Sequence, residues 1–350
     1  MKKLNFIIKY GLALLLLSFY SCESWLNVTP SDRLSEEMLF NDREGFVKAL
    51  NGVYIELNTN ELYGRNLTAG ALDVMGQYYS VASSSHAFYN YGGLVYTGND
   101  EKALFDNMWQ KCYAVIACCN TIIEKCDENK AGLSPVWKGS IKGEALALRA
   151  MLHFDMLRLF GPLTSELDKE SIPYQTNSDQ TVTPLLSGSE VIGLILDDLK
   201  NAVGLLKDTD PYFVEEEFSD TDLNYRRFRM NYFAAKGLMA RVQLWGGDKE
   251  KAAITAKEVI AEGQAEGAEF FPFVTNSEAT SSNPDRVFYS EVLFGTYHSS
   301  REKLHEDLFA PTLESTSILT LAGTARRDDL YDNENDYRYS VWSTYNKNGP

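Results

Sequence analysis

The sequence predicts a mainly all-α protein of helical hairpins, with one long irregular, loop-rich part and little β. Three observations predict it. Apolar residues recur at three- and four-residue steps through most of 104–263, the period of a helix that buries one face. The pairs Gly161-Pro162 and Gly246-Gly247 close two of these periodic segments. Residues 58–103 then break the period with six glycines, a Ser83-Ser84-Ser85 run and many tyrosines.

Composition narrows the function classes. Of 350 residues, 44% are hydrophobic and 23% charged, a balance that folds and is not disordered. The formal net charge is −16, which argues against a nucleic-acid partner, because phosphate binding needs clustered Lys and Arg. Aromatic content is 12%, carried mostly by 20 Tyr and 18 Phe. Some of those rings belong to the core and some are available for binding.

Residues 1–21 read as a lipoprotein signal peptide. Lys2, Lys3 and Lys9 precede the apolar run Gly11–Leu17, and Ser21 stands directly before Cys22. The run is shorter than the roughly 20 apolar residues of a membrane span. Cys22 is the expected lipidation site, and residues 22–34 read as a lipid-anchored tether. Loss of three lysines with the signal makes the body more acidic, so acyl chains have to hold it, and stable attachment takes more than one.

Residues 35–350 form the helical domain. Ser35-Glu36-Glu37 resembles a helix start, and Arg43–Leu57 is a short amphipathic helix with Phe46, Val47, Leu50, Val53, Tyr54 and Leu57 inward. The stripe Leu104, Met108, Cys112, Val115, Cys119, Ile122, Cys126 predicts a helix over 104–127. Ile141, Ala145, Leu148, Leu152, Met156 and Leu159 predict another over 136–160. Val191, Ile195, Leu199 and Val203 mark a third, Ser189–Leu206. Residues 207–228 look acidic and loop-like. Met230–Trp245 and Lys249–Glu262 make a hairpin across Gly-Gly-Asp, with Asp248 as cap. Successive hairpins suggest a TPR-like stack over about 104–263. Phe288–Phe294 reads as a strand or short extended segment, and the rest to Pro350 is loop-rich.

Four of the five cysteines lie in one predicted helix, and Cys112, Cys119 and Cys126 share a face. Two turns of helix separate successive members by about 10 Å, too far for a disulfide. The spacing fits no zinc pattern, so these cysteines read as small core residues. No phosphate-cradling loop, dinucleotide fingerprint, HExxH or GxSxG is present. His86, His153, His298 and His305 are scattered. No metal site and no cofactor are therefore expected. The oxygen-rich stretches Asp332–Asp336 and Asp220–Asn224 hint at a structural calcium ion, but each has Tyr where a calcium loop needs Gly. Glu215-Glu216-Glu217, Asp197-Asp198 and Asp328-Asp329 are the carboxylates a glycoside hydrolase would draw on. Adjacent carboxylates on an acidic surface are usually solvated, so catalysis stays the alternative, beside an interaction scaffold without ligand.

The irregular segment carries the candidate site. Tyr78, Tyr79, Phe88, Tyr89, Asn90, Tyr91 and Tyr96 fall among glycines and serines. Sugar rings present flat C–H patches that stack on aromatic faces, and Asn, Tyr and Ser supply hydrogen bonds for the hydroxyls. Tyr297, Trp342 and Tyr345 are expected to close the same surface, and about half of the loop rings to pack inward.

Gly143-Glu144-Ala145 followed by Leu148-Arg149-Ala150 and Leu157-Arg158-Leu159-Phe160-Gly161 closely resembles the signature of SusD/RagB-like outer-membrane lipoproteins. Trp25–Pro30 after Cys22, Glu190–Ala202 and Ala234–Trp245 resemble further segments of that family, in its order. The resemblance implies a non-catalytic nutrient-binding lipoprotein on the outer face of the outer membrane in Bacteroidetes. It implies a SusC-like TonB-dependent transporter as partner and an oligosaccharide as ligand, within polysaccharide utilisation. It carries over no ligand-contacting residue, because these vary with the ligand. Family members generally continue beyond a point like Pro350, so the domain is expected to be incomplete at its C-terminus. Arg149 and Arg158 read as structural charges that fix helix packing or the Phe160-Gly161-Pro162 exit, and Glu144 and Arg149 are expected to find tertiary partners rather than each other.

Overall fold

A computed structural model of the chain describes residues 36–321, apart from 82, 180, 266, 267 and 286, together with 328, 331 and 333. The expected signal peptide and tether, Cys22, Trp342, Tyr345 and most of 332–336 lie outside the described residues.

The described chain is mainly α-helical. It begins with α1 (Glu36–Leu39) and α2 (Arg43–Leu57), and the irregular part holds α3 (Ala71–Met75) and α4 (Tyr89–Gly92). Long helices follow: α5 (Asn99–Glu128), α6 (Pro135–Phe160) and α7 (Gly188–Thr209). Then come α8 (Asp220–Asn224), α9 (Tyr232–Trp245), α10 (Lys249–Gly263), α11 (Asn276–Ala279) and α12 (Arg301–Leu308). The strands pair as small antiparallel ribbons: β1 (Tyr79–Ser80) with β6 (Thr320–Leu321), β2 (Glu170–Pro173) with β3 (Leu185–Ser187), and β4 (Gln264–Ala265) with β5 (Ala268–Glu269). Among the described residues no helix is long and apolar enough to cross a membrane.

Local chemistry sets the helix ends. The Asp42 carboxylate accepts from Gly45 N at 2.8 Å and starts α2. Asn129 leaves α5 in the left-handed conformation, and its Oδ1 accepts from Leu133 N at 2.8 Å, closing a tight α5–α6 turn. Ser134 caps α6, with Pro135 at its first position. Ser187 and Glu190 form a capping box on α7. Gly247, at φ 92°, turns the chain between α9 and α10, and Asp248 accepts from Lys251 N as the expected cap.

Helix α6 is the centre of the TPR-like stack. It is buried on nearly every side between Gly139 and Leu157, with α5 and α7 packed against it. Its glycines permit that approach: a Cβ on Gly139 would lie 2.6 Å from Thr209 Cγ2, and one on Gly143 would lie 2.7 Å from Leu206 Cγ. Buried charges tie the layers. The Glu144 carboxylate accepts from Tyr54 Oη at 2.8 Å, from Arg229 Nε at 3.1 Å and from Arg226. Arg226 also grips Asp210 through Nε at 3.0 Å and Nη2 at 2.7 Å. The expected tertiary partner of Glu144 is therefore a pair of arginines from the 226–229 turn. Arg158 pairs at 3.0 Å with Asp155 on its own helix, half in solvent near the exit of α6.

Three further expectations are corrected. Phe288–Phe294 is not a strand: Phe288 is left-handed (φ 51°) and opens a 3-10 turn, Tyr289–Glu291. The Asp285 carboxylate drives that turn, accepting from Val287 N at 3.0 Å and Tyr289 N at 2.7 Å. Residues 207–228 are not plain loop, since they hold α8 and the 3-10 turns Glu215–Glu217 and Arg226–Phe228. Cys112, Cys119 and Cys126 are buried as expected, but Cys118, about 100° round α5 from Cys119, is exposed.

Candidate functional site

The irregular part folds around a small core of its own. Ala71, Val74, Phe88, Tyr91, Leu308 and Leu319 are buried together, with Leu104 and Phe105 from the start of α5 against them. The β1–β6 ribbon closes this cluster, joining Tyr79 to Leu321 and Ser80 to Thr320. Edge-to-face rings stiffen it: Phe88 meets Tyr91 at 5.9 Å, and Tyr91 meets Phe105 at 6.0 Å.

This packing divides the candidate residues. Phe88 is 6% exposed and Tyr91 3%, so their faces are covered by protein and cannot stack on a ligand. An irregular segment has to bury apolar area to keep its shape, and these rings supply it. Burial, with Glu101 and Asp100 nearby, pushes the Tyr91 hydroxyl up to about 12. Tyr79 is half-buried against Phe309, 5.3 Å away. Tyr78 and Tyr89 stay outside, at 46% and 44% exposed. Asn90 is exposed and donates from Nδ2 to Glu101 Oε1 at 2.8 Å, fixing α4 to α5.

Gln77 connects the segments that carry the two exposed rings. It is left-handed (φ 60°), and its amide donates to Val74 O at 3.3 Å and to Gly92 O at 3.1 Å. The turn bearing Tyr78 is thus held to the helix that starts at Tyr89. Gly76 leaves room for the Tyr78 ring, which a Cβ there would approach to 3.1 Å.

Tyr297 belongs to a second aromatic group. Its ring packs edge-on against Phe228 at 5.6 Å. Phe228 also lies 6.3 Å from Tyr225 and 5.7 Å from Tyr289, at shallow angles of 31° and 33°. Tyr225 and Tyr297 are both exposed. Arg227 fixes this platform from behind. Its guanidinium lies 5.1 Å from the Tyr289 ring and 5.2 Å from Phe271, and it donates to Tyr289 O at 3.2 Å and to Phe270 O. Tyr225, Phe228 and Tyr289 were not legible as site residues, because 207–228 reads as an acidic loop and 288–294 as a strand. The close spacing of Tyr225 and Phe228 beside two arginines was the available signal.

Among the described residues, the carboxylates of 197–198 and 215–217 do not assemble into a pair across a cleft. Asp198 is buried and held by Arg149 and Tyr174, whereas Asp197 faces solvent on the next helical position. Glu215, Glu216 and Glu217 lie exposed on one 3-10 turn. Asp329 lies outside the described residues. Of the calcium stretches, 220–224 is helix α8, and its Asp222 carboxylate is taken up by Ser219 in a capping box.

A family model described as "Starch-binding associating with outer membrane" matches residues 24–244. SusD-like protein P2 of Formosa agariphila is 26% identical over 265 residues, covering 74% of this chain and 46% of that protein. A SusD-like protein of Bacteroides ovatus is 30% identical over 146 residues, covering 41% of this chain and 23% of its own length. The chain thus spans about half, or less, of the curated relatives it matches. Among solved structures, a SusD-like carbohydrate binding protein from Bacteroides vulgatus superposes with a TM-score of 0.64 at 21% identity, over 86% of this chain and 60% of that one. A SusD superfamily protein from Bacteroides thetaiotaomicron gives 0.61 at 22% identity, over 85% and 63%. These two likenesses establish the fold, and the family match over most of the chain establishes membership: the chain belongs to the SusD-like family.

Proposed function

We propose that this chain is a non-catalytic oligosaccharide-binding lipoprotein of the outer membrane. It is held by acyl chains on Cys22, exposed at the cell surface, and delivers glycan to a SusC-like TonB-dependent transporter. The family match over 24–244, whose description names starch binding and the outer membrane, carries the reading. The exposed rings Tyr78 and Tyr89, and Tyr225 and Tyr297, support it. Gln77 ties the segments that bear Tyr78 and Tyr89, and Arg227, two residues after Tyr225, is hydrogen-bonded to Tyr289 O, so stacking on these rings costs little ordering entropy. Trp342 is proposed to contribute from outside the described residues. No cofactor is required for such capture.

The test is binding without turnover. The full chain should retain an oligosaccharide on a glycan array and release no reducing ends from it over hours. Release of reducing ends by the purified chain, abolished by changing a carboxylate, would establish the hydrolase instead. Co-purification with a TonB-dependent barrel should accompany binding. Co-purification with no glycan bound would leave the chain a scaffold.

A further inference from the structure

His86 lies in the turn that leads into α4 and is 5% exposed. Phe88 N donates to its Nδ1 at 3.0 Å, and Tyr89 N donates to its backbone O at 3.0 Å. These bonds take up two amides at the start of α4, where Phe88 itself offers no side-chain cap. A backbone N–H only donates, so Nδ1 carries a lone pair and the ring proton sits on Nε2. Nε2 is buried as well, and among the described residues it makes no hydrogen bond. The imidazole packs on Phe88 of the small core, with ring centres 5.7 Å apart.

Helix α4 has only four residues, so it depends on its two ends and its packing. Its exit is strained. Leu94 N donates to Tyr91 O at 3.1 Å and Val95 N to Asn90 O at 2.8 Å, a turn whose left-handed position usually takes glycine. Leu94 occupies that position instead, at φ 56°. The hold on Tyr89, which is 44% exposed, then falls more heavily on the entry, where the imidazole bonds.

A second proton can enter the ring only at Nδ1. It would turn the acceptor into a donor facing the Phe88 N–H, and it would place a cation in the small core. Burial already lowers the pKa of this ring from 6.5, with the Ser317 backbone opposing. The charged groups on the elements of the small core are Asp73 on α3, Asp100, Glu101, Lys102 and Asp106 in the first turns of α5, those of α12, and Glu314. Among the described residues none of them contributes to that shift. Glu101 is engaged by Asn90, and Asp307 by Lys303.

We propose that His86 is an acid-released latch on α4: protonation at Nδ1 breaks its bond to Phe88 N and frees the turn that presents the Tyr89 ring. The latched state binds fewer protons than the open one, so the latch is shut above pH 6.5 and loosens as pH falls below it. Tyr89 is held in a fixed position at neutral pH and released in acid. This latch goes beyond the reading of the chain as an oligosaccharide binder, and its test needs no ligand, so either can fail alone.

The experiment is hydrogen exchange of the full chain at pH 7.5 and 5.5, corrected for intrinsic rates, beside an NMR titration of its imidazoles. The chain has four histidines, so selectively labelled rings resolve, and the signal lost in His86→Asn is that of His86. Opening at the amides of 88–95 should rise about threefold to tenfold from pH 7.5 to 5.5. His86→Asn keeps an amide oxygen near the Nδ1 position without a titrating group, so that rise should vanish while any change in α6 persists. The His86 ring should titrate below pH 6.5 and carry its proton on Nε2. A ring that titrates at or above 6.5, or that carries the proton on Nδ1, would overturn the latch. Exchange at 88–95 that is flat with pH, or that rises equally in His86→Asn, would overturn it too. Should the Asn variant open the turn at both pH values, the ring titration of the parent chain decides.

Discussion

Arg149 holds Asp198 with both arms of its guanidinium, Nε to Oδ2 at 2.7 Å and Nη2 to Oδ1 at 2.7 Å. The pair joins α6 to α7 inside the core. Arg149 Nη1 donates onward to Asn120 Oδ1 of α5 at 2.8 Å, and Tyr174 Oη donates to Asp198 Oδ2 at 2.5 Å. One bidentate pair thus ties three helices to the segment after α6. Asp198→Asn leaves a buried guanidinium without its counter-charge. It should destabilise the chain by about 3–5 kcal/mol in urea unfolding, while Arg149→Met with Asp198→Leu should recover much of that loss. Equal stability of the single and double variants would show that the charges matter little.

The helices were legible because their periodicity was long. Cys112, Val115, Cys119 and Ile122 mark the buried face of α5, and all four are inside. Its start at Asn99 was less legible, since Gly98 caps it without a side chain and its first turn is acidic. The motif Gly143–Gly161 pointed to a central helix, though the reason for Gly143, its contact with Leu206, needs the partner helix to be visible. The site was half legible. Composition located the aromatic segment but not which rings face inward, because Phe88 and Tyr91 pack against Leu308 and Leu319, more than 200 residues later. Asp285 likewise gives no sequence sign that it bends the chain at Phe288.

That division of rings gives a paired test. Tyr89 is exposed, so Tyr89→Ala should leave stability within about 0.5 kcal/mol of the parent. It should weaken oligosaccharide binding if the ring stacks on sugar. Tyr91→Ala removes a buried ring and should cost about 3 kcal/mol or more. Thermal unfolding and calorimetry, run on both variants, separate the effects. A Tyr91 variant as stable as the parent would contradict the packed cluster.

Acid should weaken the fold before most carboxylates titrate. His153 is fully buried, and burial pulls its pKa down from 6.5 to about 3. The hydrogen bond to Arg149 O opposes that shift, and the Arg149 charge adds to it. Geometry agrees: Gln175 N donates to Nε2 at 3.0 Å, so Nδ1 carries the proton toward Arg149 O at 2.9 Å. Its ring stacks on Tyr174 at 3.9 Å and meets Tyr113 at 5.9 Å. The unfolded chain therefore binds the extra proton first. Stability is full above pH 6.5 and falls as pH drops toward about 3, with about 2 kcal/mol lost at pH 5 from this group. His86, also lowered by burial, acts in the same direction. Urea unfolding at pH 7.5 and 5.0 measures the loss, and His153→Gln should flatten the slope between them.

The proposed attachment to the membrane rests on Cys22, outside the described fold. Cys22 follows Ser21 at the end of the apolar run, and the body carries a strong negative charge that gives no help at an anionic surface. Acyl chains on Cys22 would then be the whole anchor, and a single chain binds only marginally. Cys22→Ala should move the chain from the membrane fraction to the soluble fraction, with Tm and oligosaccharide affinity unchanged, because the first described helix begins only at Glu36. Fractionation after metabolic labelling with palmitate reads both changes together. Label retained by the Cys22 variant would assign the lipid elsewhere, and unlabelled parent protein in the membrane fraction would assign the anchor to a protein partner.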